Sequence, residues 1–120
     1  MVLTAAASLW HWMQRPDCTD QNLSVGHWLL SRTLALAGVG QGALRNAKRC
    51  LALAAESSKF YIGYGHEAVA RAAAVLNDQA KCQAHLLEAH SCLAEITDDT
   101  EREMLEKDLQ ELAHSLGLDV

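Results

Sequence analysis

The sequence predicts an all-α protein: about six helices, paired as antiparallel hairpins and stacked into a short α-solenoid. Three observations predict it. The chain of 120 residues is 50% hydrophobic, yet it has six aromatic residues and a single proline, with alanine supplying much of the apolar content. Alanine loses no side-chain entropy in a helix, so this composition favours helix over sheet. Apolar residues recur at i, i+3, i+4 and i+7 along most of the chain, the period of one helix face. Finally, the sequence matches itself when shifted by 39 residues. A chain of this length forms one domain, burying roughly two thirds of the surface it exposes unfolded.

Leu3 to Gln14 reads as a first helix, stopped by Arg15 and Pro16, since the residue before proline disfavours the α region. Thr19 or Asp20 can cap a second helix running to about Ala37, with Leu23, Leu30 and Leu34 on one face. Gly38, Gly40 and Gly42 break it. A third helix covers roughly Gln41 to Glu56, its apolar face built from Ala43, Leu44, Ala47, Cys50, Leu51 and Ala54. Ser57 or Ser58 can cap a fourth, about Lys59 to Leu76, ended by Asn77 and Asp78. A fifth runs about Gln79 to Ile96. Asp98 and Glu101 then have capping-box spacing, and acidic residues crowd the positive end of the helix dipole. The sixth helix carries Leu105, Leu109, Leu112 and Leu116 as one stripe, with Gly117 as its stop.

Charge and cysteine usage narrow the function classes. The formal net charge is −5, and Arg45, Lys48 and Arg49 are the sole close basic group. Nucleic-acid binding needs a concentrated basic footprint, so no nucleic-acid partner is expected. No apolar run approaches the roughly 18 residues of a membrane span, so no membrane partner is expected either. The start "MVLTAAASLWHW" lacks the basic segment and smooth apolar core of an export signal. Cys18, Cys50, Cys82 and Cys92 lie far apart with no C-x-x-C pair. Reduced thiols and a cytoplasmic location are therefore expected.

The 39-residue repeat settles the meaning of the glycines. "LSVGHWLLSRTLALAG" (23–38) lies over "IGYGHEAVARAAAVLN" (62–77), so that Gly26-His27 meets Gly65-His66 and Arg32 meets Arg71. Gly63-x-Gly65-x-x-Ala68 fits a dinucleotide-binding fingerprint, but a helix precedes it where that fingerprint requires a strand. "GVGQGA" (38–43) fits the same pattern and also follows a helix. These glycines instead sit where a missing side chain lets a neighbouring helix approach closely. His66-Glu67 opens a zinc-protease motif, but Ala70 stands where its second histidine would be. A helix-pair period of this size means a stacked helical repeat.

The spacing within each copy resembles the tetratricopeptide repeat, a helix–turn–helix unit. His27, Leu30-Ser31, Gly38, Ala43, Ala47 and Cys50 fill its slots in copy one, and His66, Val69-Ala70, Asn77, Cys82, Leu86 and Ala89 in copy two. The chain departs from that pattern in having histidine at the bulky slot, no helix-ending proline, and a period of 39. "FYIGYGHEAVARA" and "PDCTDQNLSVGHW" also resemble bacterial proteins of that kind without an assigned activity. The resemblance implies a single domain over residues 1–120: a leading helix (1–15) as the B helix of an incomplete repeat, repeats at 19–57 and 58–96, and a capping helix at 98–116.

The resemblance further implies a non-enzymatic module that binds a protein or peptide partner. It places Arg32 and Arg71 on the concave groove, with Trp28 and Glu67 four residues earlier on the same faces. Two guanidinium groups and a tryptophan could then hold an acidic or C-terminal peptide; the plainer reading makes Glu67 and Arg71 an i, i+4 helix pair and Trp28 part of the core. The Trp10-His11-Trp12 cluster either packs the first helix onto the second or forms an exposed edge for a homodimer. The alternative function is a small-molecule or metal-binding helical protein using His66, His85, Cys82 and Cys92. Zinc would need three or four of these to converge, whereas Cys82 also lies on the apolar stripe of its helix. No metal or other cofactor, and no catalytic residue, is expected.

Overall fold

The computed structural model describes residues 2–117, which form six helices with no strand among them: α1 (Val2–Gln14), α2 (Asp20–Leu36), α3 (Gly40–Ala54), α4 (Lys59–Val75), α5 (Gln79–Ala94) and α6 (Asp99–Ser115). Each element begins and ends within two residues of its expected position. Thr19 caps α2 with a full capping box, its hydroxyl accepting from the Asn22 N–H while the Asn22 side chain accepts from the Thr19 N–H. Asp98 caps α6 by accepting from the Glu101 N–H at 2.9 Å. Such caps satisfy backbone donors that no earlier turn can reach.

Local geometry recurs at the repeat spacing of 39 from α2 to α4 (Thr19 to Ser58, Gly38 to Asn77) and one residue later from α4 to α6 (Ser58 to Asp98, Asn77 to Gly117). α2, α4 and α6 are each 17 residues long and begin after Thr19, Ser58 and Asp98. Each is followed by a residue in the left-handed region: Gly38 (φ 78°), Asn77 (φ 59°) and Gly117 (φ 73°). The residues entering α3 and α5 also match, Val39 at φ −92°, ψ 77° and Asp78 at φ −92°, ψ 83°.

Every helix packs on its neighbour in the chain, and α2, α4 and α6 also lie side by side. α1, α3 and α5 occupy the other side, where among the described residues their backbones do not approach one another within 8 Å between Cα atoms. The slab measures 42 × 33 × 20 Å; its thin dimension is two helix diameters. With the inner row in contact and the outer row splayed, the α2–α4–α6 side is the concave one. Small residues permit the closeness: Ala43, Ala47, Ala54, Ala70, Ala72, Ala73 and Ala89 are wholly buried. The larger apolar cluster joins α4, α5 and α6 through Cys82, Leu86, Leu105, Leu109 and Leu112. Two glycines serve the same end. A Cβ on Gly65 would stand 2.9 Å from the Leu51 Cα, and one on Gly26 would stand 2.8 Å from the Leu9 Cδ1. No helix among the described residues is long and apolar enough to cross a membrane.

Candidate functional site

The concave side holds a cleft of about 240 Å³. Three helices supply its walls, each through residues one turn apart: Ser24, Val25 and Trp28 from α2, Phe60, Tyr61 and Tyr64 from α4, Met104 and Asp108 from α6. Cys50 of α3 also lines it. Four of the chain's six aromatic residues meet here. Phe60 packs edge-on against Tyr64 with centroids 5.1 Å apart, and Tyr64 edge-on against Trp28 at 5.5 Å. Edge-to-face geometry suits the ring quadrupoles.

The polar groups of the walls are bonded to one another or to their surroundings. Ser24 Oγ donates to the Cys50 carbonyl at 2.9 Å, Trp28 Nε1 to Glu67 Oε2 at 2.9 Å, and Gln21 Nε2 to the Tyr61 hydroxyl at 2.9 Å. The Tyr64 hydroxyl donates to Asp108 Oδ2 at 2.5 Å, and Arg32 Nη1 lies 3.6 Å from Asp108 Oδ1. Burial first, and then the bond to the Asp108 carboxylate, push the Tyr64 phenol far above its ordinary range. Burial pushes the Cys50 thiol up to about 11, so it stays protonated and unreactive near neutrality. The cleft therefore presents an apolar interior.

The structure separates the four groove residues expected from the sequence. Trp28 lines the cleft and Arg32 borders it, the guanidinium lying over the indole at 5.3 Å. Glu67 is 0% exposed. It sits between α2 and α4, held by Trp28 and by Arg71 Nε at 2.9 Å. Residues 28 and 67 are counterparts in the two copies, so equivalent positions of adjacent repeats bond directly. Arg71 is mostly buried, and its Nη2 has no partner. Both arginines thus already carry an internal carboxylate. Sequence reasoning missed Phe60, Tyr61, Tyr64, Met104 and Asp108. The i, i+4 aromatic pair Phe60 and Tyr64, in a chain so poor in rings, was the available signal.

The histidine pair follows the repeat as well. His27 Nδ1 lies 2.9 Å from Asn46 Oδ1, and 39 residues on His66 Nδ1 lies 2.9 Å from His85 Nδ1. Burial lowers both His66 and His85 below the usual histidine value; the charge of His85 adds to this at His66, and those of Lys81 and Lys48 at His85, while Glu88 opposes it at both. Cys82 and Cys92 are buried, with thiols pushed up chiefly by that burial. Among the described residues no three His, Cys, Asp or Glu side chains converge as metal ligands would.

On α1, Trp10 is 63% exposed and shares a flank with exposed Leu3 and Met13, whereas Trp12 is half-buried beneath the Arg15 guanidinium at 5.1 Å. No protein-family model, curated protein or solved structure matches this chain.

Proposed function

We propose that the chain is a tetratricopeptide-like binding module, without catalytic activity of its own, whose α2–α4–α6 groove takes a segment of a partner protein. The observation that carries this reading is the aromatic cleft whose polar groups are satisfied internally. A cavity with apolar walls and no outstanding hydrogen-bonding demand selects an apolar occupant, because a polar group placed there would lose its water without compensation. Its volume of about 240 Å³ falls below the roughly 300–1,000 Å³ of pockets that enclose drug-sized ligands. One large side chain fits it. The partner segment thus docks by a single aliphatic or aromatic anchor, with Arg32 and Asp108 at the rim steering its backbone or flanking polar groups. An arginine clamp on an acidic terminus has less support, since Arg32 and Arg71 already face Asp108 and Glu67.

Selection from a random peptide library tests the reading. Selected peptides should share one large apolar residue. Met104→Trp, which fills the mouth of the cleft, should abolish their binding, and Arg32→Ala should weaken it by about three- to tenfold, the equivalent of about 1 kcal/mol. Unchanged affinity in both variants would remove the groove from the account.

A further inference from the structure

A second face, lined by none of the residues of the aromatic cleft, carries charge of the opposite sign to the molecule as a whole. α3 contains Arg45, Lys48 and Arg49 and no acidic residue. All three are exposed, and none has a carboxylate within 4.0 Å among the described residues. They border a shallow concavity of about 540 Å³ between α1, α2 and α3, with Met13, Leu23 and Ala52 as its apolar part and His27 and Asn46 beside them. Met13 also belongs to the exposed flank of α1 that carries Leu3 and Trp10.

The charges of the whole chain are segregated in the same sense. Residues 1–54 hold five cations and two anions, whereas residues 55–120 hold five cations and thirteen anions, giving +3 and −8. On α6 the exposed Glu103, Glu106 and Glu111 likewise lack a cation within 4.0 Å among the described residues. One chain thus presents a basic hollow on its α1–α3 side and, along the solvent-facing side of α6, three glutamates that outnumber the exposed Lys107 among them. Patches of opposite sign steer and orient association.

We infer that the partner of the basic face is a second copy of this chain, docked through the outer side of its α6. In a two-fold pair each α6 meets the α1–α3 face of the other protomer, so the contact is made twice and the assembly closes instead of growing into a fibre. A stable interface buries roughly 800 Å² per partner, and the exposed Met13 and Trp10 beside the basic face add apolar surface to the charged contact. The inference does not depend on the groove reading, because the aromatic cleft and the basic concavity share no residue.

Sedimentation equilibrium of the full chain tests it. The wild type should be a dimer in about 0.05 M salt, and its dissociation constant should rise at least about tenfold in about 0.5 M salt, where the Debye length falls from roughly 14 to roughly 4 Å. Arg45→Glu/Arg49→Glu should be monomeric, and so should Glu103→Arg/Glu106→Arg, with circular dichroism confirming that both stay helical. Mixing the two variants should restore a dimer, since one then offers two acidic faces and the other two basic ones. A wild-type monomer at low salt, a dimer indifferent to either reversal, or variants that stay monomeric when mixed would each overturn the proposal.

Discussion

At the scale of single residues, Gly26 and Gly65 are counterparts in the repeat but do not face the same obstacle. A Cβ on Gly65 would meet the Leu51 Cα at 2.9 Å and its Cβ at 3.1 Å, which only a shift of α3 against α4 can relieve. A Cβ on Gly26 would meet the tip of Leu9 at 2.8 Å and nothing else within 3.7 Å, and a leucine tip can rotate away. Overpacking costs about 1–3 kcal/mol, while alanine gains about 0.5–1 kcal/mol over glycine inside a helix. Gly65→Ala should therefore destabilise the protein by about 1–2 kcal/mol in urea unfolding, and Gly26→Ala should be neutral or slightly stabilising. Equal effects would mean that the α3–α4 contact is looser than described. The packing role of both glycines was legible from the repeat. The burial of Glu67 was not: a glutamate four residues before an arginine reads as a solvated pair, and only the arrival of Trp28 from α2 closes the site above it.

Among the elements, the pairing of α4 with α5 carries a pH dependence. His66 and His85 face each other at 2.9 Å, and the charged groups nearby are Lys81 and Glu88 on α5 and Lys48 on α3. Both folded values are lowered below 6.5, so on acidification the unfolded chain takes up protons first. Stability should hold above pH ~6.5 and fall as the pH drops through that value towards the folded ones. His85→Asn recreates the His27–Asn46 contact of the first copy, and thermal melts between about pH 7.5 and pH 5 should then show a shallower decline. An identical decline would place the sensitivity elsewhere.

The same elements show how far the sequence could be read. Helix identities and stops followed from proline, glycine and cap residues, and the 39-residue match of α2–α3 with α4–α5 from shared side chains. What the residues hid is that α6 keeps the same geometry one residue out of register, 40 positions after α4 instead of 39: 17 residues long, cap at Asp98, left-handed stop at Gly117. Where α2 and α4 have Gly26 and Gly65, α6 has Leu105, which is wholly buried and reaches Gly63 of α4, 2.6 Å from where a Cβ would stand. No close backbone approach from α5 is needed there, so the small-residue signature is gone although the backbone geometry remains.

At the scale of the molecule, the proposed groove rests on which side of the slab is concave. The tetratricopeptide resemblance named Trp28, Arg32, Glu67 and Arg71 for that side, but the cleft is assembled from residues 24 to 108, a span no local motif covers. Its rings belong to α2 and α4 and its rim to α6, so it exists only once the three inner helices lie side by side. The opposite basic face lay in plain view in the composition of α3, yet its meaning depended on finding no carboxylate opposite it. The most direct measurement of the groove reading is the set of three indole N–H signals in the 1H–15N spectrum, one for each tryptophan. Titration with a peptide selected for an apolar anchor should move the Trp28 signal, bonded to Glu67 beside the cleft, and leave Trp10 and Trp12 where they stand. Saturable binding that shifts Trp10 or Trp12 and leaves Trp28 unmoved would contradict it.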